Sequence, residues 1–310
     1  MEVYLEAELT PQSKPRKYWR KDVKDWLHAF PFLLPSLFIF TVFVFIPLVR
    51  SVILSMHATN PIGQMTTYVE FKYYQRLLAS EAFRNSIVVT LKFVLYTVPP
   101  ILFMGLVLAT LANLRLRGVS AFRIIFSLTI SISGATAALL FMFLYHPLLG
   151  SFNYLLSFVG VEPIPWLINV KWALIAVAIP RIWLGTGFST VLLLAGMQGI
   201  SEEYYEAAKI DGADFWQSWK HITLPMITPS LFFLVVVTTL GAFQTFTEVN
   251  VLTAGGPVNS TNVIVQEIFR SFYFNGQYGL ASAQALVLFV IILALTILQF
   301  AVLEKRVNYE

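Results

Sequence analysis

The sequence predicts an all-α membrane protein with six spanning helices, and three observations carry that prediction. Of 310 residues, 57% are hydrophobic and 12% charged, against roughly 25% charged in a typical soluble domain, and the mean hydropathy is +0.71. Six apolar runs are each long enough to cross hydrocarbon as helix, which takes about 20 residues. Basic residues gather in alternate segments between those runs, the mark of a chain threaded with a fixed orientation. The same composition excludes a soluble two-domain enzyme and a disordered chain. With no cysteine it also excludes a disulfide-built secreted scaffold and thiolate chemistry. A net charge of +4 is too small to point to nucleic acid.

Residues 1–26 hold Lys14, Arg16, Lys17, Arg20, Lys21 and Lys24 and no apolar run. The apolar stretch that follows has no small-residue cleavage site behind it, so the segment reads as a cytoplasmic tail and not a cleaved signal. A six-helix domain then fills 27–303, with spans at 29–49, 86–112, 119–144, 171–197, 227–248 and 279–303, and 304–310 form a second short tail. Six crossings put both termini on one side. That side carries thirteen basic residues, the six of the tail with Arg115, Arg117, Arg123, Lys209, Lys220, Lys305 and Arg306, set against five on the other, Lys72, Arg76, Arg84, Lys171 and Arg270. The positive-inside rule makes the richer side, and both termini, cytoplasmic. Arg50 and Lys92 lie near outer span ends, where long side chains snorkel to water.

The outer loops carry structure of their own. Phe71–Leu78 repeats apolar and aromatic residues near helical spacing and predicts a short interfacial helix. Pro147, Gly150, Gly160, Pro163 and Pro165 bracket the apolar run 152–159, and Gly255-Gly256-Pro257 cannot continue a helix. No internal repeat, low-complexity tract or second soluble domain is evident.

The loop at 198–226, between spans 4 and 5, is the most informative segment. Ser201 suits an N-cap, Glu202 and Glu203 suit the positive end of a helix dipole, and Gly212 suits the left-handed position past a helix end. Asp214 with Gln217 predicts a second cap, and that helix runs into Leu224-Pro225. The pattern is helix, sharp turn, helix. Ala207 and Ala208 allow close approach while Tyr204, Tyr205 and Trp216 offer large anchors, so the loop reads either as a docking element or as an amphipathic helix resting on the bilayer.

Glu206-Ala207-Ala208, three residues, Gly212, nine residues, then Ile222-x-Leu224-Pro225 resembles the EAA motif of permease subunits of bacterial ATP-binding-cassette (ABC) importers. The resemblance covers all but the first 26 residues and is to the sugar-uptake branch, the maltose and glycerol-phosphate type. It runs through Phe71–Leu78, Gly118–Arg123, Gly150–Leu156, Ala207–Ala213, Leu252–Pro257 and Gly279–Ala283. It implies a type I importer permease fold, with Tyr205, Glu206, Ala207, Ala208, Asp211, Gly212, Ile222, Leu224 and Pro225 coupling to an ATPase. The implied partners are an ABC ATPase dimer holding ATP and Mg, a second homologous permease forming a heterodimer, an extracytoplasmic sugar-binding protein and membrane lipid. The implied setting is the bacterial or archaeal cytoplasmic membrane. This chain has no GxxxxGK[ST] loop, and no catalytic residue, cofactor or metal is assigned to it. Two departures matter: Phe126–Thr129 lacks a proline common in relatives, so no span 3 kink is carried over, and Thr247 stands where many relatives have Asp.

Polar side chains inside spans are expensive and mark cavities or partners. Gln244, Thr247 and Glu248 fall on one face if span 5 is a continuous helix, with Asn250 just beyond. These, with Ser133 of span 3 and Trp183 of span 4, are the candidate substrate path; interhelical hydrogen bonding is the competing reading. Arg181 implies a cavity, an anionic substrate group or a carboxylate partner such as Glu248. Other classes are a permease for a different polar solute, a secondary transporter, disfavoured by the lack of paired repeats, and an intramembrane serine protease using Gly187-Phe188-Ser189, disfavoured because all four histidines lie at span ends or in loops.

Overall fold

The computed structural model describes residues 18–114 and 118–304. The basic tail through Lys17, Arg115 and Arg117, and the closing Lys305 and Arg306, lie outside the described residues. The chain divides into two units, 1–53 and 54–310. In the first, α1 (Tyr18–Phe40) passes through a π turn at Thr41–Phe45 into α2 (Ile46–Leu54), and Phe30–Leu54 is apolar enough to cross a membrane.

The second unit opens with an antiparallel hairpin, β1 (His57–Thr59) and β2 (Met65–Tyr68). No strand was expected in this loop, because strands of three and four residues leave too short an alternation to read. The turn is legible in hindsight: Gly63 takes φ +81°, and the Asn60 side chain accepts the Gln64 N–H at 2.8 Å. The short helix expected over Phe71–Leu78 follows as α3 (Lys72–Ala79). Ser80 then caps α4 (Glu81–Asn113), accepting the Phe83 N–H at 3.3 Å. At 33 residues, α4 is about 50 Å long, so it overshoots the hydrocarbon and starts five residues before the expected 86.

The third span is not one helix. α5 (Val119–Leu128) ends in a 3-10 turn at Thr129–Ser131, and α6 (Gly134–Leu144) sets off at 105° to it. Ile132 is extended, and Ser133 caps α6 by accepting the Thr136 N–H at 3.1 Å. A serine cap before a glycine thus breaks the span without proline, which corrects 119–144 as a continuous helix.

Beyond it come α7 (Ser151–Ser157) in the second outer loop and α8 (Ala173–Gln198), close to the expected 171–197. Three short helices follow, α9 (Glu202–Ile210), α10 (Phe215–Ser218) and α11 (Leu224–Met226), then α12 (Thr228–Phe243), α13 (Thr247–Leu252), α14 (Ile264–Phe269) and α15 (Tyr278–Leu303). By length and composition, among the described residues five helical stretches can cross a membrane, and six if the bent third span is counted once.

The second unit is built around α8. A Cβ on Gly105 would collide with Ser189, one on Gly185 with Ile101, and one on Gly187 with Thr129, so glycine lets α4 and α5 approach α8 at backbone distance. Ser189 is fully buried there. The Gly-x-Ser is therefore a packing seam, not an exposed nucleophile. Pro180 has no N–H to give the Ala176 carbonyl, and the Tyr145 hydroxyl donates to that carbonyl instead, at 2.7 Å. Gly279 does the same service for α15: a Cβ there would strike the Tyr73 ring and the His57 carbonyl under the hairpin.

Candidate functional site

The 198–226 loop is built as its sequence requires, with one correction. Ser201 occupies the N-cap position of α9, but its hydroxyl makes no capping bond; the Tyr204 N–H reaches the Ser201 carbonyl at 3.4 Å instead, so a backbone turn replaces the side-chain cap. At the far end Asp211 is the C-cap and Gly212 takes φ +80°. Gly212 N–H donates to the Lys209 carbonyl at 3.1 Å and Ala213 N–H to the Ala208 carbonyl at 2.9 Å, the paired bonds of a Schellman turn. A Cβ on Gly212 would meet nothing within 4 Å. Asp214 and Gln217 then form a complete capping box, with bonds of 2.7 and 2.9 Å.

Of the residues assigned to this loop, Glu206, Ala207, Asp211 and Gly212 are exposed, and Tyr205, Ala208, Ile222, Leu224 and Pro225 are partly buried. Tyr205 is an inward anchor: its hydroxyl shares a 2.9 Å hydrogen bond with Thr223. Trp219, not singled out from sequence, donates its indole N–H to the Thr110 hydroxyl near the end of α4 at 3.1 Å. Behind α9 lies a cavity of about 650 Å³, lined by Thr110, Arg123, Gln198, Lys209 and Trp219 among others. The loop is thus tethered at points over a void, with Tyr204, Ile210, Phe215 and Trp216 exposed on its surface.

The second candidate lies where the broken third and fifth spans meet α8. α12 ends at Phe243, and Gln244 and Phe246 leave helical geometry before α13 begins at Thr247. The stagger that places 244, 247 and 248 on one face does not survive this break, which corrects that expectation: Gln244 is exposed, Thr247 partly buried and Glu248 buried. Glu248 is 3% exposed. Its Oε2 accepts the Thr245 hydroxyl at 3.1 Å, and its Oε1 lies 3.7 Å from the Arg181 guanidinium, whose side chain stays 30% exposed. A Cβ on Gly241 would collide with the Arg181 Nη2, and one on Gly134 would sit 3.5 Å from Glu248 Oε1. Gly241, not singled out from sequence, therefore leaves room for the guanidinium, whereas a Cβ on Gly134 would stand at ordinary contact distance from the carboxylate.

The other predicted path residues separate. Ser133 is exposed beside this junction as the α6 cap, sharing a 2.9 Å bond with the Thr136 hydroxyl. Trp183 packs on Phe141, ring centroids 5.8 Å apart, and belongs to the rim of the aromatic core. The Asn250 Oδ1 accepts from Gln266 at 3.3 Å, tying α13 to α14. Among the described residues no group of three His, Asp or Glu is placed to hold a metal ion.

Residues 101–309 match the family of binding-protein-dependent transport system inner membrane components. The chain belongs to this family. It is 34% identical over 270 residues to the trehalose/maltose transport system permease protein MalF of Thermococcus litoralis, covering 87% of this chain and 91% of that one. Its fold matches a bacterial ABC transporter involved in import of the acidic polysaccharide alginate, with TM-score 0.79, 25% identity, and 92% and 98% of the two chains covered. It also matches a bacterial alginate ABC transporter solved with its alginate pentasaccharide-bound periplasmic protein, with TM-score 0.77, 26% identity and 92% and 96% coverage. As a member of this family the chain is a permease of an ABC importer with the type I fold.

Proposed function

We propose that this permease carries a sugar inward by alternating access, paired with a second permease and driven by a separate ATPase dimer that binds ATP and Mg. An extracytoplasmic binding protein delivers the sugar, and both termini of this chain face the cytoplasm. The observation that supports this most directly is the EAA helix: a Schellman turn holds Gly212 and Ala207 at the surface, next to exposed Tyr204, Ile210, Phe215 and Trp216. An apolar patch of that kind beside a low-profile helix suits seating in a protein cleft. The sugar reading draws on the trehalose/maltose relative and the alginate importers, and on the polar junction between two broken spans, where transporters bind polar solutes.

Gly212→Asp tests the coupling role. The chain leaves open space at that position, so the intramolecular cost is backbone strain of about 1 kcal/mol, and the permease should insert and assemble. Binding-protein-stimulated ATP hydrolysis and uptake should fall together, because a side chain projecting from the turn meets the ATPase. Stimulated hydrolysis at the wild-type rate would remove the EAA helix from the coupling role.

A further inference from the structure

Resting on the reading of the broken-span junction as the sugar path, we infer that the Arg181–Glu248 pair sets this path for uncharged carbohydrate and against anionic sugars such as sugar phosphates and uronates. A lone arginine facing a polar junction would recruit anions, since its planar fork suits phosphate and carboxylate. Here a counter-charge already stands beside it. Glu248 Oε1 stands 3.7 Å from it, and Gly241 leaves the room that lets the guanidinium lie there.

The carboxylate is fixed in turn by the Thr245 hydroxyl on Oε2, and at 3% exposure it is out of reach of solute. Its effect is to cancel the charge of Arg181. An anion approaching Arg181 meets a cation whose charge is already answered and gains little for the water it gives up. An uncharged polyol loses nothing by that neutrality. The guanidinium is still 30% exposed and has five N–H donors, and the exposed Ser133 hydroxyl and Gln244 amide add groups of the kind that bind hydroxyls.

The test uses the whole importer, both permeases with the ATPases, in lipid nanodiscs, with tritiated sn-glycerol 3-phosphate as the anionic probe. Glu248→Gln keeps the side-chain shape and the oxygen facing Thr245 while unmasking Arg181. It should bind the probe at least tenfold more tightly than wild type, and Arg181→Gln in the same chain should erase the gain. Equal binding by wild type and Glu248→Gln overturns the inference, as does a gain that survives loss of Arg181. Should the variants fail to assemble, wild type decides: in proteoliposomes with the cognate binding protein, uncharged sugars should enter at least tenfold faster than a sugar phosphate or an alginate disaccharide. Comparable uptake of an anionic sugar overturns this inference and leaves the sugar reading standing, whereas uptake of a non-carbohydrate solute alone overturns the sugar reading itself.

Discussion

A Cβ on Gly241 would fall in the space the Arg181 guanidinium occupies. The pair that results is costly to halve. Arg181→Met leaves Glu248 buried with its charge unanswered, and the loss should be about 1–3 kcal/mol, the penalty of a buried group left without its partner. Thermal unfolding of the purified importer reads it, and Glu248→Gln added to the same chain should recover most of the loss; a double variant no more stable than Arg181→Met would show the two side chains to be uncoupled. The charged partners were legible in the sequence, because an arginine and a glutamate inside apolar spans are too expensive to stand alone. The close approach of Gly241 to the arginine was not, since an isolated glycine in a hydrophobic run says nothing about what lies across from it.

At the scale of elements, the 198–226 loop hangs from few points, and the Tyr205–Thr223 hydrogen bond of 2.9 Å is one of them. Tyr205→Phe removes that bond at a cost of about 1 kcal/mol. Stimulated ATP hydrolysis should drop several-fold with assembly intact, measured on the reconstituted complex; unchanged stimulation would assign the bond to local folding only. The caps and turns of this loop were readable because each uses a residue with a specific local chemistry: Gly212 for a positive φ, and Asp214 with Gln217 for reciprocal capping. The interruption at 244–246 was not, because Gln244, Thr245 and Phe246 include no glycine or proline and a polar residue in a span reads as lining. At Ser133-Gly134 the signal was present, a cap residue inside an apolar run, but it competes with the stronger signal of continuous hydropathy.

For the whole molecule, span ends at 198, 228, 278 and 303 fall close to where hydropathy put them, since long apolar runs bounded by polar loops leave little latitude. Their orientation is tested by labelling. The chain has no cysteine, so single cysteines at Ser13 and at the exposed Val258 should react with a membrane-impermeant maleimide from opposite faces, Ser13 from the cytoplasm. Reaction from one face would overturn the threading. The glycine seams of α8 also have a mechanical consequence. Gripped near Gly185, Gly187 and Ser189, the proline-free stretch from Arg181 to Gln198 is a stiff rod about 26 Å long, with α9 hung close to one tip and the Arg181–Glu248 pair at the other. Such a rod would act as a lever about that grip. About that grip, a tilt of about 5° would move the Gln198 end by roughly 1.4 Å and the Arg181 end, on the shorter arm, by under about 1 Å.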